Sequence, residues 1–320
     1  MASENEPKTL IEAVTYFTNP DNCLNYLVGR RWRNGVTCPT CGSKNVGFVA
    51  SRRIWQCKTR HDRAQFTIKT GTILEDSPLG LDKWLPALWM IGNDKNGISS
   101  WELHRAVGVT QKTAWFMLHR IRLAMQDNST GGKLGGDVEV DETFIGGKAR
   151  NMQADKRAEK IHGRGPEGKT IVAAVLERGG KVRATVIKNR RKKALQALVR
   201  DNVEAGSNLY SDALKSYEGL ANEFTHQVID HADAYVNGQV HTNGMENFWS
   251  LLKRGIHGTY VSVEPFHLFR YVDEQAFRFN NRNDMNDADR FSVLVSQIVG
   301  KRLTYANLTA NEDKKPEAED

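Results

Sequence analysis

All four cysteines of this 320-residue chain, Cys23, Cys38, Cys41 and Cys57, lie in its first fifth, which points to one local site. Cys38 and Cys41 frame CPTCG, a tight turn that presents two thiolates to one ion. Cys57 follows sixteen positions after Cys41, and the spacing Cys57-x3-His61 offers a second pair of ligands. Between the pairs, VGFVA and RRIWQ read as short strands joined by a Ser-Arg turn. Two hairpins clipped by a tetrahedral ion make a zinc ribbon. Four protein ligands leave no coordination position for substrate, so the ion is expected to be structural. A cysteine is the commoner fourth ligand, and two residues compete for that place here. Spacing favours His61. Cys23 sits in NCLNYLVGRRW, a short amphipathic helix in which a cysteine acts as a small buried hydrophobe.

The N-terminal MASENEPKTL is polar and lacks the apolar stretch of a secretory signal, and no run of 18 apolar residues occurs. A cytoplasmic chain without a membrane partner is expected, and in that compartment its cysteines are not disulfides. Lys and Arg number 45 against 38 Asp and Glu, a net charge of +7. Distribution matters more than the sum. Arg30, Arg31, Arg33, Arg52 and Arg53 cluster in and before the ribbon, and KNRRKK fills 188–193. Several basic clusters on one chain point to nucleic acid rather than a small-molecule substrate. The polar and acidic end of the chain, 306–320, is expected to be a disordered tail.

After the ribbon, DKWLPALWMIGN has a helical apolar pattern, and GISSWELHRAVGVTQKTAWFMLHRIRLAM follows at 97–125. Ser99 or Ser100 can cap a helix that turns Leu103 and Ala106 inward, Gly108 breaks it, and Thr110 caps a second helix carrying Ala114, Met117, Leu118 and Ile121. Helix, glycine turn and capped helix make a helix-turn-helix, with Gln111, Lys112 and Thr113 at the start of the second helix where base or phosphate contacts are made.

In GDVEVDETFIGGK, at 136–148, acids alternate with valines. Alternation predicts a strand with Asp137, Glu139 and Asp141 on one face and Glu142 on the other. Glu139 and Glu142 are expected to be solvated flanks of Asp141. Residues 168–187 read as two more strands joined at Gly179-Gly180, and 190–204 as a helix with a basic start. SNLYSDALKSYEGL reads as a strand ending at Ser211-Asp212 and then a helix, and HQVIDH as a further strand. The stretch HTNGMENFWSLLKRG, 241–255, reads as a helix. Met245, Phe248, Trp249 and Leu252 form its apolar face, and Glu246 and Lys253 stand two turns apart on a neighbouring polar stripe. An antiparallel meander followed by strands alternating with helices is the order of a ribonuclease H-like α/β fold with a mixed sheet. In that fold Asp141, Asp212 and Glu246 converge. Three carboxylates at one point repel one another unless divalent cations are shared among them.

Across residues 20–305 the chain resembles insertion-sequence transposases of the DDE class that carry a zinc ribbon and a helix-turn-helix ahead of the catalytic core. The resemblance rests on CPTCG, QFTIKTGTI, GVTQKTAWFMLHRIR, VDETFIGGK, LYSDALKSY and HTNGMENFWSLLKRGIHGTY. It implies Asp141 as first acid, Asp212 as second, Glu246 as third with Asn243 as the alternative, and Lys253 as the basic residue that meets backbone phosphate. It further implies Mg2+ or Mn2+ at these acids, zinc on Cys38, Cys41, Cys57 and His61, and double-stranded DNA as partner. The ribbon, with Arg52 and Arg53, and the helix-turn-helix would read the element's terminal inverted repeats. Holding two ends together implies a homo-oligomer. Competing functions are a non-catalytic DNA-binding regulator and a structure-specific nuclease. The expected organisation is a helical lead over 1–30, the ribbon over 31–75, the helix-turn-helix region over 76–130, the ribonuclease H-like domain over 131–305, and the tail.

Overall fold

The structure is a computed structural model and describes residues 6–126, 131–147, 153–161, 167–212, 214–229 and 242–310. The chain forms two compact units, Met1–Asp127 with Asn281–Asp320, and Asn128–Asn280.

The first unit opens with α1 (Leu10–Phe17) and α2 (Pro20–Arg31). Thr9 and Glu12 form a capping box on α1, and Asn19 caps α2, whose first position is Pro20. A three-stranded antiparallel sheet follows, β1 (Val46–Val49), β2 (Ile54–Cys57) and β3 (Gln65–Phe66). Then come α3 (Leu81–Asn93), α4 (Ser100–Val107) and α5 (Gln111–Met125). Ser99 caps α4, Gly108 ends it in the left-handed region at φ 64°, and Thr110 caps α5. The helix-turn-helix signals thus lie where the sequence puts them.

From sequence the third unit extends to residue 305, but the chain after Asn280 packs with the first unit. The reason is Phe291 of α10 (Asp287–Ser296). Its ring, 1% exposed, stacks on Tyr26 at 5.5 Å and meets Phe17 at 5.7 Å and Trp89 at 4.9 Å, joining α1, α2 and α3 in one aromatic cluster. Beyond α10 the backbone pairs with the segment before α3, Ile73 N donating to Ile298 O and Gly300 N to Gly71 O, each at 2.9 Å. Lys301 Nζ then donates to the last carbonyls of α5, Ala124 O at 3.1 Å and Gln126 O at 2.7 Å, a cation at the negative end of a helix. A short helix, α11 (Tyr305–Thr309), enters the stretch read from sequence as tail, and residues 311–320 lie outside the described residues.

The second unit is a mixed five-stranded sheet built from β4 (Asp137–Ile145), β5 (Thr170–Glu177), β6 (Val182–Ile187), β7 (Asn208–Asp212) and β8 (Thr225–Ile229). Its order is β6-β5-β4-β7-β8, with β5 antiparallel to β4 and β6, and β7 and β8 parallel to β4. A meander followed by two parallel strands on its far side is the ribonuclease H-like order. The short helix α6 (Ala154–Lys160) lies between β4 and β5, and α7 (Lys192–Asn202) between β6 and β7. Both faces of β4 are covered. Val138 and Val140 pack with Leu195 and Val199 of α7 and with Tyr217 and Leu220. Ile145 and the β5 residues Ala174 and Leu176 pack with Met245, Phe248, Trp249 and Leu252 of α8 (Asn243–Arg254) and with Val272 and Phe279 of α9 (Leu268–Asn280). The end of α9 is tied to β6, since Val182 N donates to Asn280 Oδ1 at 2.7 Å and Asn280 Nδ2 donates to Val182 O at 2.9 Å.

One element departs from expectation. The segment after Asp212 is not a helix but two 3-10 turns, Lys215–Tyr217 and Leu220–Asn222, separated by Gly219 at φ 93°. Tyr217, 1% exposed, turns into the core there, and a continuous helix would not bring it to that place.

Truncating the aromatic keystone of the first unit, Phe291→Ala, is expected to destabilise that unit by about 3–5 kcal/mol. Urea denaturation followed by tryptophan fluorescence checks this, and a loss under about 1 kcal/mol would contradict the role given to Phe291.

Candidate metal centres and active site

The ribbon ligands converge. Ligand atoms of Cys38, Cys41, Cys57 and His61 all lie within 4.8 Å of one another, with Cys38 Sγ 3.4 Å from His61 Nε2 and Cys41 Sγ 3.7 Å from Cys57 Sγ. Local backbone bonds build the knuckle. Cys38 N donates to Ser43 O and Gly42 N to Cys38 O, and Gly42 takes the left-handed φ of 72° that this turn needs. His61 Nδ1 donates to Asp62 O, which leaves Nε2 free to face the ion, the usual way a protein orients a metal-binding imidazole. Burial pushes the Cys38 thiol up, but hydrogen bonds from the Cys41 and Thr40 amides and from the neighbouring thiols outweigh it and lower it to about 6. This Cys3His set supports a structural Zn2+. Cys23 does not join it. Its Sγ donates to Phe17 O at 3.0 Å, it is fully buried, and burial pushes its thiol up to about 11.

In the second unit the strand register brings two carboxylates together. On β4 and β7 the partners are Asp137 with Asn208, Val138 with Leu209 and Glu139 with Tyr210, a constant offset of 71. That pairing stops at Glu139–Tyr210, two residues short of each aspartate; the same offset continued would bring Asp141 level with Asp212 (212 − 141 = 71), and Asp141 does feel the charge of Asp212. Burial pushes the Asp141 carboxyl up to about 6. Hydrogen bonds from Trp249 Nε1 at 2.9 Å and from the Glu142 amide at 2.8 Å oppose the shift, and the charges of Glu142 and Asp212 add to it. Asp212 Oδ1 accepts from Leu214 N at 3.1 Å.

Glu139 and Glu142 are not the solvated flanks expected from sequence. A strand covered on both faces has no solvated side. Glu139 is 1% exposed; its Oε1 pairs with Arg178 Nε at 3.0 Å and its Oε2 accepts from Met245 N at 2.8 Å, in the first turn of α8. Gly244 permits that approach, because a Cβ there would lie 2.9 Å from Glu139 Oε2. Glu142 points to the other face, where it accepts from Tyr217 Oη at 2.8 Å and pairs with Arg190 Nη1 at 3.2 Å. Burial raises its pKa, the Tyr217 bond lowers it, and Asp212 raises it further.

Glu246 and Asn243 are exposed on α8, and Lys253 is half-buried further along the same helix. Glu246 stands one turn before Trp249, whose indole holds Asp141. Among the described residues only the ribbon ligands form a group of three or more Cys, His, Asp or Glu placed to hold one metal ion, and Asp141, Asp212 and Glu246 do not form such a group. His241 lies outside the described residues. In the first unit Gln111 Nε2 donates to Ser100 Oγ at 2.8 Å, Thr113 N donates to Thr110 Oγ1, and the exposed Lys112 lies over the Tyr305 ring at 4.8 Å. Arg52 is exposed, and Arg53, in the left-handed region at φ 49°, pairs with Asp21 at 2.9 Å on the surface.

The family model of the ISXO2-like transposase domain matches residues 133–280, and that of the transposase zinc-ribbon domain matches 19–59. A curated relative, the uncharacterized protein in transposable element ISH50 of Halobacterium salinarum, is 31% identical over 251 residues, which cover 74% of this chain and 83% of the relative. The chain belongs to the ISXO2-like transposase family. An uncharacterized transposase-like protein of Haemophilus influenzae is 31% identical over 102 residues, 32% of this chain and 82% of that protein. Among solved structures, a chain of a simian T-cell lymphotropic virus intasome in complex with PP2A regulatory subunit B56 gamma is 12% identical. There 58% of this chain and 66% of that one are covered at a TM-score of 0.29, too slight a likeness to bear on the fold. The transposase domain match begins just before β4 and ends with α9, so it spans the second unit; the ribbon match stops two residues short of His61. No helix among the described residues is long and apolar enough to cross a membrane.

Zinc content should be abolished by Cys41→Ser and retained by Cys23→Ser, as read by atomic absorption; the reverse pattern would contradict the ligand set. Asp141 also makes a pH-dependent prediction. Its folded pKa of about 6 exceeds the ordinary value of 3.8, so folding binds a proton between those values. The stability this group contributes is present below about pH 4 and lost as pH rises through about 6. In zinc-loaded protein without magnesium or manganese, Asp141→Asn is expected to be more stable than wild type by about 1–3 kcal/mol at pH 7, a gain that vanishes near pH 4. Urea denaturation at the two pH values checks this, and a destabilised variant at pH 7 would contradict it.

Proposed function

We propose that this transposase cuts and joins double-stranded DNA at a site formed by Asp141, Asp212 and Glu246. The observation that supports the proposal is that Asp141, buried on β4, feels the charge of Asp212 at the end of the neighbouring strand β7, and that neither carboxylate has an ion pair among the described residues. Such a pair suits Mg2+ or Mn2+, which take oxygen ligands from few carboxylates and complete their shells with water and phosphate. Glu246 is the third ligand, with Asn243, one turn earlier on α8, as the alternative. The outer ligands of a two-ion site are spread over about 8 Å, so the looser spacing of Glu246 is compatible with it. Bound there, the ions would polarise the scissile phosphate and make water, and later a 3′-hydroxyl, nucleophilic at neutral pH.

The side chains do the rest. Trp249 donates to Oδ2 of Asp141 and the Glu142 amide to Oδ1, and together they fix its rotamer. Lys253, two helical turns beyond Glu246, meets backbone phosphate as a point charge. The zinc ribbon, with Arg52 and Arg53, and the start of α5, with Gln111, Lys112 and Thr113, recognise the terminal inverted repeats, Lys112 being the exposed cation among the three. Joining two ends calls for a homo-oligomer.

A strand-transfer assay on a labelled inverted-repeat duplex tests this reading. Wild type should cut and join, and Asp141→Ala should bind the duplex but leave it uncut. Binding without cutting by wild type would make the chain a regulator, cutting without joining would make it a nuclease, and loss of binding in Asp141→Ala would remove that residue from the role given to it.

A further inference from the structure

The run KNRRKK at 188–193 has so far no part in the site. It starts where β6 ends at Ile187 and runs into the first turn of α7. Five of its six residues are basic, all five are exposed, and Arg190 alone of them carries an ion pair among the described residues, with Glu142. Lys188, Arg191, Lys192 and Lys193 therefore stand as four cations within six positions, without acidic partners among the described residues. They do so at the N-terminus of α7, where the helix dipole already favours negative charge and where the first turn holds no acid. Local folding is thus worked against by the residue choice, and a polyanion would relieve it.

Two contacts hold this run in a set place. Arg190 pairs with Glu142, the neighbour of Asp141, and Arg190 O accepts from Ser216 Oγ at 2.7 Å, in the turn that follows Asp212. The sheet adds a direction. β4, β6 and β7 run the same way, so the run leaves the sheet at the end where Asp212 closes β7. In the sheet β6 is two strands from β4, about 10 Å across, and Ile187 lies level with Phe144, three residues or about 10 Å past Asp141, from where the Arg190–Glu142 pair draws the run back toward β4.

We propose that Lys188, Arg191, Lys192 and Lys193 form a sequence-independent docking surface for the phosphate backbone of duplex DNA beside the Asp141–Asp212 pair. The surface grips phosphates a few steps from the scissile one, while recognition of the element's ends belongs to the other unit. It rests on the function proposed above and extends it.

The test is a salt titration of binding by fluorescence anisotropy, with an element-end duplex and an unrelated duplex. It compares wild type with the full-length variant K188A/R191A/K192A/K193A. Arg190 stays, because it holds Glu142. Alanines at exposed positions of a helix start, with like charges removed, should leave the melting temperature unchanged or higher. Each phosphate contact contributes about 0.9 to the slope of log K against log salt, so the variant's slope should be shallower by about 3–4 on both duplexes. An unchanged slope in a wild type that cuts DNA overturns the surface alone. A slope reduced only on the element-end duplex overturns its sequence independence. A wild type that binds neither duplex overturns the function proposed above as well.

Discussion

The arrangement of the second unit depends on how α8 is fastened to β4. Two bonds do it. Met245 N donates to Glu139 Oε2, and Trp249 Nε1 donates to Asp141 Oδ2. The anchors on the helix are four residues apart, a rise of about 6.0 Å, and those on the strand are two apart, about 6.6 Å. The spacings match, so the helix lies along the strand with both rungs made. Slipping by one residue would break both and bury the Glu139 charge without its helical partner, a change of several kcal/mol. Glu246 falls between the rungs and inherits its position from them.

Against this rigid frame the acids are held at an energetic disadvantage. Asp141 is desolvated and faces the charges of Glu142 and Asp212. Glu142, one residue on, is neutralised by Arg190 and bonded by Tyr217, so it stabilises the opposite face instead of competing for ions. The two neighbouring acids of β4 thus differ through strand alternation alone. One faces α8 and has no ion pair among the described residues, the other faces α7 and is paired with Arg190. Stability given up at Asp141 would be recovered by the divalent ion of the proposed site.

Much of this was legible in the sequence. The period of two in DVEVDETFI predicted both the strand and its faces, the stretch around Met245 and Trp249 predicted the amphipathic helix, and cysteine spacing predicted the ribbon. Serine, glycine and threonine marked the helix-turn-helix. What escaped was tertiary. Glu139 and Glu142 look solvated in a one-dimensional pattern because their partners, Arg178, Met245, Tyr217 and Arg190, lie 39 to 106 positions away. Valines alternating with acids read as a strand with one face in solvent, so the pattern itself pointed away from burial on both sides. Nothing local announces that Phe291 returns to Phe17, nor that the chain after Asp212 closes in 3-10 turns to place Tyr217.

The most direct measurement is Mn2+ binding to the zinc-loaded protein, followed by electron paramagnetic resonance without DNA. Wild type should take up Mn2+, and Asp141→Asn and Asp212→Asn should each weaken uptake by more than the roughly 10–100-fold typical of residues that only support a ligand. Equal Mn2+ affinity in wild type and both variants would show that the facing aspartates do not share a divalent ion, and would contradict the account at its centre.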